Sequence, residues 1–119
     1  MTKTIVIGGK EMRMRASALT PRIYRREFNR DLVRDMSGFL KAFKDGASDD
    51  AVLDNLEVFE NVAWILLREG GENVGTSPEE WLDSIDGIFS IYEVMPQIIE
   101  LWIDNQKTTS ESKNPAGHR

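Results

Sequence analysis

The stretch "VFENVAWILL", residues 58–67, is apolar almost all the way round a helix. Val52, Leu56, Phe59, Ala63 and Leu66 recur at helical spacing and predict a helix over roughly residues 50–69. Val58, Val62, Ile65 and Leu67 widen its apolar stripe. A helix of this kind belongs in the middle of a core, so the remaining elements must pack around it. Upstream, "KDGASDD" reads as a loop in which Ser48 or Asp49 can cap the helix. Downstream, Gly70 and Gly71 stop it.

The elements on either side can be read by the same means. Ser77-Pro78-Glu79-Glu80 is a helix start, with the serine as cap and Glu80 placed to reach back to the serine amide. A short helix, "PEEWLDSI", follows. Beyond it Ile88, Ile91, Tyr92, Met95, Ile98, Ile99 and Trp102 lie at helical spacing, and Pro96 is expected to kink or split that segment. On the N-terminal side, "KTIVIGGKEMRMRA" alternates like two strands. A turn at Gly9-Lys10 would set Ile7 opposite Met12 and Ile5 opposite Met14, with all four on one face. Thr20-Pro21 then opens a helix whose stripe is Tyr24, Phe28, Leu32, Met36 and Leu40, with Phe39 and Phe43 beside it. Asn29 tolerates the left-handed conformation, so two helices at about 21–28 and 31–44 are as well supported as one rod. The predicted fold class is α+β and mainly helical, an N-terminal β-hairpin packed on a bundle of about four to six helices. It occupies residues 1–107. Residues 108–119 carry no large apolar anchor and are expected to form a mobile tail.

Composition removes several function classes. The chain has 119 residues and no cysteine, which excludes disulfides and thiolate chemistry. No run approaches the roughly 20 apolar residues of a membrane span. "MTKTIVIGGK" lacks the long apolar run of a signal peptide, so a cytoplasmic protein is expected. The lone histidine, His118, falls in the expected tail, which argues against a histidine-based catalytic triad and against the usual zinc sites. Asp49-Asp50 and Glu79-Glu80 are paired carboxylates, but each sits at a helix start where the dipole favours negative charge. Gly8-Gly9 belongs to a hairpin turn and not to a phosphate loop. No enzyme activity, metal or cofactor is expected.

Charge is unevenly distributed over a net −5. Residues 1–35 hold nine Lys/Arg and four Asp/Glu, for +5, and residues 36–119 total −10. Such asymmetry suits solvated faces, a nucleic-acid arm, or head-to-tail contact between copies. Within "TPRIYRREFNRDL", residues 20–32, Arg22, Arg26 and Arg30 would share one helix face, with Arg25 nearby. Glu27–Arg30 and Asp31–Arg34 are at pairing distance. A groove-reading helix would usually be less neutralised, which argues against nucleic acid. Trp64, Trp81 and Trp102 each suit either a core position or a partly exposed partner surface.

Taken in order, these segments resemble the tail assembly chaperones of long-tailed phages and prophages of Gram-positive bacteria. The resemblance rests on Arg-x-Tyr-Arg-x-x-Phe-x-Arg-Asp at Arg22–Asp31, the core-helix pattern at Glu57–Trp64, Glu-Trp-Leu-Asp at Glu80–Asp83, and the closing run at Ile99–Thr109. It covers residues 3–110, with Asn29 where relatives often look glycine-like. The resemblance implies non-enzymatic work in the host bacterial cytoplasm, outside the mature virion. Such proteins bind the long tape measure protein and keep it soluble until tail tube subunits polymerise around it. A frameshifted longer form would recruit the tail tube protein, and copies could associate into a coat. The partner-binding candidates are Arg22, Arg25, Arg26, Arg30, Trp81 and Trp102. The rival reading is a small nucleic-acid-binding phage or prophage regulator using residues 13–34.

Overall fold

The computed structural model describes residues 2–44, 55–85 and 91–113. Two strands, β1 (Thr2–Ile7) and β2 (Lys10–Arg15), pair antiparallel ahead of five described helices. These are α1 (Thr20–Phe28), α2 (Leu32–Lys44), α3 (Leu56–Glu69), α4 (Pro78–Ser84) and α5 (Ile91–Lys113). The α+β, mainly helical class read from the sequence is the class observed.

The apolar segment at 58–67 forms the centre of the molecule. Phe59 and every residue from Val62 to Leu67 are buried in α3. The helix ends as its glycines require. Gly71 takes a φ of +89°, its N–H donates to the Arg68 carbonyl at 3.1 Å, and the Glu72 N–H donates to the Leu67 carbonyl at 3.0 Å. This left-handed stop satisfies carbonyls that the helix itself leaves free. Gly70 has a different task, because a Cβ there would lie 2.2 Å from the Arg13 carbonyl oxygen of β2. The missing side chain lets α3 approach the strand. At the other end, Asn55 precedes α3 without a side-chain cap bond. The expected caps Ser48 and Asp49, with Val52, lie outside the described residues.

The hairpin differs from the expected register by a shift that preserves its faces. Gly8-Gly9 forms the turn, Ile7 pairs with Lys10, and Ile5 pairs with Met12. Both glycines have positive φ, +59° and +80°. That is the turn whose twist matches the strands, and the Gly8-Gly9 pair can adopt it whereas Gly9-Lys10 would strain the lysine. Sliding the pairing by an even step leaves Ile5, Ile7, Met12 and Met14 on the buried side and Val6 41% exposed.

A lone hairpin is marginal in water. Here both outer edges are engaged. Along β1, the Gln97 side chain of α5 accepts from the Val6 N–H at 2.9 Å and donates to the Val6 carbonyl at 3.0 Å. Glu93 accepts from the Gly8 N–H at 2.9 Å, and Lys3 pairs with Glu100. Along β2, Glu72 accepts from the Arg13 N–H at 2.8 Å. These contacts occupy backbone groups that would otherwise template another strand.

The helices around the core show further departures. Thr20 does not cap α1. Its Oγ1 instead accepts from the Ser17 N–H at 2.8 Å, closing the preceding turn, and Leu19 stands at the cap position. Asn29 does break the chain, at φ 55° and ψ 39°, so α1 and α2 are separate helices. Asp31 then caps α2 by accepting from the Arg34 N–H at 3.0 Å. In α4 the Ser77 Oγ accepts from the Glu80 N–H at 3.1 Å as expected. The Glu80 carboxylate, however, reaches Thr76, accepting from its hydroxyl at 2.9 Å, rather than the serine amide. Helix α5 runs on through Pro96 without a split. Its buried face is Val94, Met95, Ile98, Leu101 and Trp102, while Tyr92 is 57% exposed. Tyr92 and Val94 are two residues apart, hence on nearly opposite sides of a helix, so both cannot face the core. Residues 108–113, expected as part of the tail, continue α5 to Lys113.

Candidate protein-interaction surface

The arginine-rich segment 20–32 divides into an inward lock and an outward basic face. Inward, Tyr24 is fully buried and its hydroxyl donates to Asp35 Oδ2 at 2.6 Å. Arg30 binds the same carboxylate with two bonds, Nε to Oδ2 at 2.9 Å and Nη2 to Oδ1 at 2.8 Å. Such forked pairing is specific to guanidinium. Phe28 links the helix to the core, with ring centroids 5.2 Å from Tyr24 and 5.9 Å from Trp64. Arg68 lies over the Trp64 ring at 5.2 Å and bonds Glu27 at 3.1 Å, so α1 is tied to the last turn of α3.

This arrangement corrects the expected ion pairs. Glu27 pairs with Arg68 and not Arg30, and Arg30 pairs with Asp35. The left-handed residue at Asn29 ends the helical spacing on which the Glu27–Arg30 expectation depended. It also removes Arg30 from the face carrying Arg22 and Arg26. Asp31 meets the Arg34 backbone rather than its guanidinium, and its carboxylate lies 3.6 Å from Arg25. Asp35 was not legible as a partner, because an Arg and an Asp five apart share no helix face.

The lock shifts its own titrations. Burial disfavours the Asp35 carboxylate, but the bonds from Arg30 and Tyr24 outweigh it and hold its pKa below the ordinary range. Burial first, then the bond to Asp35 and its charge, push the Tyr24 phenol far above its usual value. A depressed carboxyl stabilises the fold above about pH 4 and loses that contribution as pH falls below it. A raised phenol contributes fully below about pH 10 and loses it as pH rises beyond. Wild-type stability is therefore expected to fall at both ends. In Tyr24→Phe the alkaline fall should shrink while the acid one persists. Urea midpoints across pH would check this, and equal alkaline slopes in both proteins would refute it.

Outward, Arg22, Arg25 and Arg26 are exposed, and Arg22 and Arg26 make no ion pair among the described residues. A shallow groove of about 360 Å³ lies between Pro21, Arg22, Arg25, Asp31, Leu32 and Val33. A second, about 260 Å³, adjoins it and adds Arg34. Val33 is 50% exposed and Leu19 51%, so apolar surface accompanies the positive charge. The chemistry on offer is binding of carboxylates set on a partly apolar surface. Trp81 and Trp102 do not join this face, being 3% and 8% exposed within the core cluster. Trp64 is 1% exposed and donates its Nε1–H to the Val74 carbonyl at 3.1 Å.

At the other end of α3 lies a surface of opposite sign. Glu57, Glu60 and Glu79 rim a groove of about 410 Å³ whose apolar lining includes Leu56, Pro78 and Leu82. None of the three glutamates makes an ion pair among the described residues. Burial, with the charge of Glu57 second, raises the pKa of Glu60. Asp49 and Asp50 lie outside the described residues.

Among the described residues, no cluster of His, Cys, Asp and Glu could hold a metal ion, and no helix is long and apolar enough to cross a membrane. No protein-family model, curated protein or solved structure matches the chain.

Proposed function

We propose that this chain is a tail assembly chaperone of a long-tailed phage or prophage. It binds the tape measure protein in the host cytoplasm and keeps it soluble until tail tube subunits displace it. The observation that carries this reading is the ordered series of motifs at Arg22–Asp31, Glu57–Trp64, Glu80–Asp83 and Ile99–Thr109. Two of them meet in space, through the Phe28–Trp64 contact. The work is non-enzymatic, and a longer frameshifted form would bring in the tail tube protein. Weak contacts repeated along a rod suit a coat that must later be released.

Co-expression with the cognate tape measure protein, followed by sedimentation, tests the proposal. The expected result is a soluble complex holding many copies of this chain per partner. A tape measure protein that stays insoluble would refute it. Tight, salt-sensitive binding of short duplex DNA by the purified chain would instead favour the regulator reading on residues 13–34.

A further inference from the structure

We propose that this chain carries a socket for the C-terminal residue of a partner protein, one with an apolar side chain and a free α-carboxylate. The socket lies between the hairpin tip and α4 and has a volume of about 260 Å³. It shares no lining residue with the charged grooves described above, and it does not depend on the chaperone reading.

Wall, rim and access together define the ligand. The wall is apolar: Ile7 of β1, Met12 of β2, Trp81 of α4 and Ile85 just past it. Ile7, Met12 and Trp81 belong to the core cluster, so packing behind them fixes their positions. The volume falls below the roughly 300–1,000 Å³ of sites that enclose a drug-sized molecule, and therefore suits a single side chain. At the rim, Lys10 is the one charged residue among those lining the socket, and Asn73 stands with it. Both are exposed, and neither side chain makes an ion pair or hydrogen bond among the described residues. Glu93 reaches the same tip but accepts from the Gly8 N–H and forms no ion pair with Lys10. An ammonium and a carboxamide beside an apolar hollow complement a carboxylate joined to an apolar group.

Access is set by the hairpin tip. Gly8 also lines the socket, and a Cβ built on Gly8 or Gly9 would meet nothing within 4 Å. That open space lets a partner chain lead away from the socket. A terminal residue is favoured over other acids by its geometry. Its carboxylate sits on the same Cα as the side chain that fills the hollow, so one residue reaches both wall and rim. An internal glutamate or aspartate carries its charge on a separate side chain and would need a second foothold. A free apolar amino acid has the right carboxylate but brings an ammonium close to Lys10, and like charges repel.

Proton–nitrogen correlation NMR of the isotope-labelled full chain reads the binding. The probe is an N-acetylated tetrapeptide ending in leucine with a free carboxylate. Shifts are expected at Gly8, Gly9, Lys10, the Asn73 side-chain amide and the Trp81 indole N–H, with a Kd on the order of 0.1–1 mM for so few buried atoms. Amidating the peptide's C-terminus should weaken binding by roughly threefold to tenfold, and alanine in place of the leucine by roughly tenfold or more. Lys10→Gln should bring the acid peptide down to about the affinity of the amide. Asn73→Ala should weaken the acid peptide too, and it replaces Lys10→Gln if the spectrum shows a disturbed hairpin. A peptide that shifts none of these signals would overturn the proposal. So would an amide that binds as tightly as the acid, or variants that bind like wild type. Equal binding of free leucine, or of an amidated peptide with an internal glutamate, would overturn the assignment to a protein C-terminus.

Discussion

Replacing Trp64 with alanine is expected to lower the unfolding free energy by about 3–5 kcal/mol, the usual range for deleting a large buried aromatic. Three losses combine at this site. The indole is 1% exposed at the centre of the core cluster, so its removal leaves a cavity among residues already packed. Its Nε1–H is the donor to the Val74 carbonyl, and Val74 is itself buried, so that acceptor loses its bond without regaining water. The ring also supports Phe28 at its edge and Arg68 over its face. Losing it therefore loosens the attachment of α1 to α3. For a domain whose total stability is of the order of 5–15 kcal/mol, such a change consumes a large share. Urea unfolding would show it as a lower midpoint at a similar slope. Trp64→Phe should cost less, because an aromatic remains against Phe28. An unchanged midpoint in Trp64→Ala would mean that the indole is not the keystone described here.

What could be read from the sequence, and what could not, follows from the range of the interactions involved. The central helix was legible because Val62 to Leu67 are apolar on every side, a property of adjacent residues alone. The same holds for the glycine stop, the Ser77 cap and the break at Asn29. The hairpin faces were legible from alternation, but the register was not, because moving the turn between Gly9-Lys10 and Gly8-Gly9 leaves the same residues inward. Turn geometry decided it. Tyr92 was misplaced for a related reason. Periodicity gives an apolar stripe on α5, yet only the packing of Glu93, Gln97 and Glu100 against β1 fixes how the helix is rotated. The basic face was legible in composition, although its membership was not. Arg30 looks equivalent to Arg22 in sequence, and only the reversal of direction at Asn29 carries it to Asp35. The acidic groove went unread because Glu57 and Glu79 lie 22 positions apart and meet only once α4 folds back beside α3.

Asp35→Ala is expected to cost about 2–4 kcal/mol, out of proportion to the few atoms removed. The carboxylate is the shared acceptor of two donors whose situations differ. Arg30 has a side chain 49% exposed and can rehydrate once the pair is broken. The Tyr24 hydroxyl cannot, because the residue is fully buried, and it becomes a stranded donor. Most of the cost should therefore come from the tyrosine and little from the arginine. That ordering can be measured. Tyr24→Phe alone should cost about 1–2 kcal/mol, since Asp35 keeps both bonds from Arg30. Arg30→Ala exposes Asp35 to the loss of its cation but leaves the phenol bonded. In the double variant Asp35→Ala with Tyr24→Phe there is no stranded hydroxyl, so the combined cost should fall clearly below the sum of the single ones. Strict additivity in that cycle would mean that the phenol and the carboxylate act independently. The lock would then not be what sets α1 against α2 and holds the basic groove between them.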